Sequence, residues 1–87
     1  MEIEFEIGNF PIPLISDTIA KELEIESGEL VLLKKNELPF QIIAVALGSH
    51  YEQKLLVPKY MSLEFDSFQG LLTIEKFTTA PHTSKVI

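Results

Sequence analysis

Gly48-Ser49-His50 sets a hydroxyl beside an imidazole, and the chemistry this suggests is nucleophilic, with the histidine taking the serine proton. Neighbours in sequence at a turn point apart, however, and no carboxylate spacing orients the ring. Gly-Ser is also a plain turn dipeptide, so Ser49 and His50 are expected in a solvated loop. Glu64 and Asp66 stand two apart and pair carboxylates as acid-base catalysts and chelators do. Beside a short helix they are expected to form a polar rim. His50, His82 and the acids show no characteristic ligand spacing, and the four glycines, Gly8, Gly28, Gly48 and Gly70, stand singly rather than in a phosphate loop. The expectation is therefore a chain that is not an enzyme, with no catalytic residue, no metal ligand and no cofactor. The remaining cue is aromatic. Tyr51, Tyr60 and Phe68 are the candidate protein-binding residues, because such rings give a partner a large, rigid contact area.

These residues must be positioned by short elements. Glu2, Glu4 and Glu6 alternate with Ile3, Phe5 and Ile7, the period of a strand with one wet face. Pro11 and Pro13 rule out an interior central strand at 11–13 and allow an edge or entry segment through Ile12, Leu14 and Ile15. Ser16 or Asp17 caps a helix whose apolar face is Ile19, Ala20 and Leu23, and Gly28 supplies the turn that follows. Leu30 to Leu33 reads as a buried strand. Phe40 to Leu47 and Gln53 to Val57 read as one long hairpin reversed near Gly48. Pro58 starts a second helix faced by Tyr60, Met61 and Leu63, and Gly70 precedes the last strand, Leu71 to Phe77. Residues 78–87 are expected to form a loose tail.

The two halves look alike. Leu14, Ile15, Ile19, Leu23, Gly28, Leu30, Leu32 and Lys34 recur, 42 residues on, as Leu56, Val57, Met61, Phe65, Gly70, Leu72, Ile74 and Lys76. Each half is strand, short helix, Gly turn, strand. The halves span about 10–35 and 52–77, joined by the hairpin, and form one domain over 1–77. Six apolar strands left as an open sheet would expose edges, so a small, mainly β, closed six-stranded barrel with two short helices and an internal pseudo-twofold repeat is expected.

At 87 residues, only about two-thirds of the unfolded chain's surface can be buried. No apolar run approaches the ~20 residues that span a bilayer. The absence of cysteine and of a basic-then-apolar leader leads us to expect an intracellular setting, cytoplasmic or nuclear. The net charge of −6 lies in the first half: residues 1–37 carry nine acidic side chains against three lysines, and residues 38–87 four against four. There is no arginine. Phosphate backbones and anionic membranes are held by cations, so neither nucleic acid nor membrane is an expected partner.

The paired elements carry a resemblance. Leu14-Ile15-Ser16-Asp17 into Ile19-Ala20-Lys21-Glu22-Leu23, and Leu55-Leu56-Val57-Pro58-Lys59-Tyr60-Met61 into Gln69-Gly70-Leu71-Leu72-Thr73-Ile74-Glu75, look like those of double-psi β-barrels. Val57-Pro58-Lys59-Tyr60-Met61 and Gly70-Leu71-Leu72 are similar to the N-terminal subdomain of the ubiquitin-fusion-degradation adaptor family, which works with the valosin-containing-protein AAA unfoldase. The resemblance covers roughly residues 12–77. It implies recognition of ubiquitin or of the AAA unfoldase by the barrel surface in protein degradation, and it assigns that contact to no single residue; a monomeric, non-enzymatic barrel is expected. Members of that family usually carry a second, mixed α/β subdomain, which these residues do not include. Pro13-Leu14-Ile15 through Ile25-Glu26-Ser27-Gly28-Glu29-Leu30 also resembles the AbrB-like DNA-binding half-barrel, against which the missing arginines count. Double-psi barrels further include pyruvoyl-dependent decarboxylases that self-cleave at Gly-Ser, but the residues around Gly48-Ser49 do not match their pattern. A self-assembling structural barrel is the third alternative, and predicts an uncovered apolar edge near Pro11 to Ile15.

Overall fold

Strands and helices form where the apolar periodicity sets them, and a computed structural model describes residues 1–48, 53–66, 68 and 70–78. The order is β1 (Glu4–Gly8), β2 (Leu14–Ser16), α1 (Asp17–Leu23), β3 (Leu30–Lys35), β4 (Leu38–Ala44), β5 (Ala46–Gly48), β6 (Lys54–Pro58), a 3-10 turn (Lys59–Met61), α2 (Ser62–Phe65) and β7 (Leu72–Lys76). From residue 79 on, the expected tail lies outside the described residues.

Ser16 does cap α1: its hydroxyl accepts from the Ile19 N–H at 3.3 Å, satisfying a donor the helix leaves open. Ile19 and Ala20 turn inward. The helix ends at Glu24, four residues before Gly28, because Glu24 adopts the left-handed region (φ 59°, ψ 46°) and Ile25 folds back to donate to the Ala20 carbonyl. Gly28 (φ 94°) then makes the expected turn, its N–H donating to the Val45 carbonyl at 2.7 Å. On the second helix the inward face is Met61 and Phe65, four apart, rather than Tyr60 and Leu63, which are exposed.

Two expectations about the strands need correction. The strands form a four-stranded sheet, β1-β6-β2-β5, and a three-stranded sheet, β4-β3-β7, instead of one closed six-stranded barrel. The count is seven because the run from Phe40 to Leu47 breaks at Val45, whose N–H and carbonyl bond to Glu29 and Gly28 rather than to a strand. At that residue the chain leaves β3 for β2. Residues 1–8 make a similar switch, pairing with β7 through Glu2 and Thr73 and then with β6 from Glu4 onward. The second correction concerns the hairpin. β5 and β6 are not neighbours, since β2 lies between them, parallel to β5 and antiparallel to β6.

The repeat is written into this pairing. Leu14 and Leu56, equivalent in the two halves, are direct partners between β2 and β6. In the other sheet Leu33 pairs with Ile74 and Leu32 with Glu75, so each half's residue meets the other half's neighbour. An approximate twofold axis relates strands arranged in this way.

β3 and β4 turn tightly at Asn36 and Glu37, both with positive φ (51° and 70°), between the paired Lys35 and Leu38. Positive φ at both central positions is the type I′ geometry, for which Asn-Gly is the favoured pair. Glu37→Gly is therefore expected to raise stability by about 0.5–1 kcal/mol, by relieving the left-handed strain at the second position. Urea unfolding checks this; an unchanged or lower midpoint contradicts it.

Ile15, Ile19, Val31, Leu33, Leu55, Val57, Phe65 and Ile74 fill the space between the sheets and helices, each essentially sealed from water. They come from both repeats. Burial on this scale contributes roughly 25 cal/mol per Å² of apolar surface and is the main term holding the halves together.

Candidate functional site

Ser49, His50, Tyr51 and His82 lie outside the described residues. Glu64 and Asp66 are both exposed beside α2. Among the described residues no group of three or more histidines, aspartates and glutamates is placed to hold a metal ion. Of the aromatic candidates, Tyr60 and Phe68 fall on different surfaces.

Phe68 follows α2 and turns inward enough to join a cluster with Phe5 from β1, Phe40 from β4 and Phe65 from α2. Ring centroids lie 5.0 Å apart for Phe5 and Phe65 and 5.4 Å apart for Phe40 and Phe65, at the tilted and edge-on angles that the ring quadrupoles favour. The Lys35 ammonium sits 5.3 Å from the Phe68 centroid. Phe68 is half-buried in this cluster, so its first role is to close that end of the core.

Tyr60 is 70% exposed and Leu63 86% exposed. They stand three apart on the continuous 3-10 and α segment, and the inward anchors Met61 and Phe65 hold them outward. Below Tyr60 lies a shallow groove of about 330 Å³ lined by Ile12, Pro13, Ile43, Ala44, Tyr60 and Met61. Pro11 and Pro13 keep this stretch out of the sheet, leaving the Ile12 side chain 45% exposed. Apolar surface continues onto the sheet. Val31 and Leu33 point into the core, so period-two alternation sends Leu30 and Leu32 outward, opposite Ala44 and Ile42 of β4. Sequence periodicity had assigned Tyr60 and Leu63 to the helix's packing face; the buried pair Met61 and Phe65, four apart, was the signal to the contrary.

A second groove, of about 870 Å³, opens where residues 1–8 leave β7 for β6. Its lining includes Glu2, Glu4, Phe5, Lys54, Phe68 and Leu71. Lys54 pairs with Glu6 at 3.4 Å. No spacing along the chain announces this groove, because its walls come from distant parts of the sequence.

No protein-family model matches the sequence, and no curated protein matches it. Among solved structures the chain is similar to the crystal structure of a rationally designed protein, apDPBB_sym_79, a double-psi β-barrel. The TM-score is 0.69 at 15% sequence identity, over 90% of this chain and 98% of that one. At this identity a likeness speaks for backbone plan and leaves function to the surface residues. With its two strand-helix-strand halves and its switching strands, the chain has the double-psi β-barrel fold, its seven strands lying in two sheets rather than in one closed barrel.

Proposed function

We propose that this chain is a non-enzymatic protein-binding adaptor domain, and that its partner docks on the surface formed by Tyr60, Leu63, Ile12 and the adjoining groove. The observation that carries this is the exposure of Tyr60 and Leu63 beside an apolar groove. Large apolar side chains clustered in the open mark interaction sites more often than chance exposure does, and tyrosine is among the residues that dominate binding energy. The proposed partners are ubiquitin and the N-terminal domain of an AAA unfoldase, supported by the likeness of Val57 to Met61 and Gly70 to Leu72 to the degradation-adaptor family.

Backbone-amide NMR titration with each partner at moderate salt tests the proposal. Saturable shifts at Ile12, Ala44 and Lys59 to Leu63 are expected with one of them. Shifts confined to another face, or none with either partner, overturn it. The exposed Ile12 also supports a second reading, in which two copies of the chain meet on this surface. Sedimentation at two concentrations separates the two: a constant monomer mass removes the self-assembly reading.

A further inference from the structure

The groove between β1 and the Gly70 turn is a second site, and we propose that it binds an extended, lysine- or arginine-bearing segment of a protein partner. β1 is the terminal strand of its sheet from Glu4 onward, whereas residues 1–3 ahead of it are already paired with β7, so strand addition is open to an extended chain only from Glu4 on. An extended chain presents alternate side chains to one side, so every second residue of such a segment meets the groove.

Its chemistry selects the occupant. Phe5, Phe68 and Leu71 give apolar contact, and Leu71 is 40% exposed. Glu2 and Glu4 stand exposed at the rim, on the same face of the strand because they are two apart. Lysine and arginine combine an apolar stem with a charged head, and therefore suit a site with apolar walls and carboxylates at its mouth. The surrounding field has the same sign. Residues 1–37 carry nine acidic groups against three lysines; at the groove itself Lys54 is engaged by Glu6 and Lys35 lies over the Phe68 ring, so Glu2 and Glu4 at the rim carry the selection. An acidic segment meets like charge at the Glu2 and Glu4 rim and is disfavoured there.

Fluorescence anisotropy of the whole protein with a fluorescein-labelled Lys-Val-Lys-Val-Lys-Val peptide, and with its Glu-Val counterpart, is the test. The lysine peptide is expected to bind saturably, with amide shifts at Glu2 to Phe5 and Gly70 to Leu72, and the glutamate peptide is not. Reversing the rim charges together, Glu2→Lys with Glu4→Lys, is expected to weaken binding roughly tenfold. Leu71→Ser leaves the charge unchanged and removes only the apolar wall, with an expected loss of roughly fivefold. The backbone bonds of Leu71 to Asn36 do not involve its side chain, which is 40% exposed, so this variant is expected to fold, as far-UV circular dichroism checks. The proposal is overturned by equal binding of both peptides, by no binding, or by shifts elsewhere. An affinity that Leu71→Ser leaves untouched also overturns it, since that is diffuse attraction to an acidic surface. Neither variant touches the Tyr60 surface, so failure here is distinct from failure of the adaptor proposal.

Discussion

Phe65→Ala is expected to destabilise the fold by about 3–5 kcal/mol, the range for deleting a fully buried aromatic ring and leaving a cavity. Phe65 is 1% exposed and contacts the rings of Phe5, Phe40 and Phe68, which come from both ends and the middle of the chain. No single neighbouring segment can collapse into the space. A chain of this length has about 4–13 kcal/mol of total stability, so the loss is a large share of it. Urea unfolding followed by far-UV circular dichroism measures the change, and Phe65→Leu, which keeps most of the volume, serves as the milder member of the pair at about 1–2 kcal/mol. A Phe65→Ala loss below about 1 kcal/mol contradicts the placement of this ring at the centre of the core.

The second large effect is at Gly70. Its φ of 114° is one that side chains strain to adopt, and a Cβ there stands 2.6 Å from Asn36 Nδ2 and 2.7 Å from Oδ1. Asn36 cannot simply swing away, because its Oδ1 accepts the Leu71 N–H at 2.9 Å and its own N–H donates to the Leu71 carbonyl at 2.9 Å. This contact ties the β3–β4 turn to the turn before β7. Gly70→Ala is expected to cost about 2–4 kcal/mol, from backbone strain of about 1–3 and a hydrogen bond of about 1. A double-mutant cycle with Asn36→Ala separates the two parts. Once the amide is gone, adding the methyl at Gly70 costs less than it does in the native chain. Strict additivity of the two changes contradicts the contact.

Much of this architecture is legible in residue pattern, since local physics dictates it. Glu2 to Ile7 alternate, Ser16 caps α1, and the spacing of Ile19, Ala20 and Leu23 fits a helix face, as the structure has it. The offset of 42 residues predicts matched halves, and Leu14 meets Leu56 across the centre of the four-stranded sheet. What sequence could not convey was decided by distant partners. Ile42 to Leu47 is an unbroken apolar run, and it divides at Val45 only because Glu29 and Gly28 take that residue's backbone groups. The hairpin expected between this run and Gln53 to Val57 fails for a related reason: β2, some thirty to forty residues earlier, slips between the two strands. Glu24 and Glu37 adopt left-handed backbone with no glycine to announce it.

The candidate site was legible in part. Tyr60 stands in the open as a binding residue must, while Phe68 is drawn into an aromatic cluster that no spacing along the chain could reveal. Ile12 follows from its flanking prolines. The apolar outer face of β3 and β4 does not, because Leu30 and Leu32 look like core until Val31 and Leu33 are seen to occupy it. Tyr51 lies outside the described residues.

Calorimetric titration of ubiquitin, and then of an AAA unfoldase N-terminal domain, into the native chain and into Tyr60→Ala bears most directly on the docking surface. With one of the two, the native chain is expected to bind, and the variant to bind roughly 30-fold more weakly, the loss of about 2 kcal/mol typical of a central aromatic anchor. Tyr60 is exposed and its side chain packs no core, so both proteins unfold at the same urea concentration. Equal affinities for the two proteins, or no heat with either partner, contradict the account.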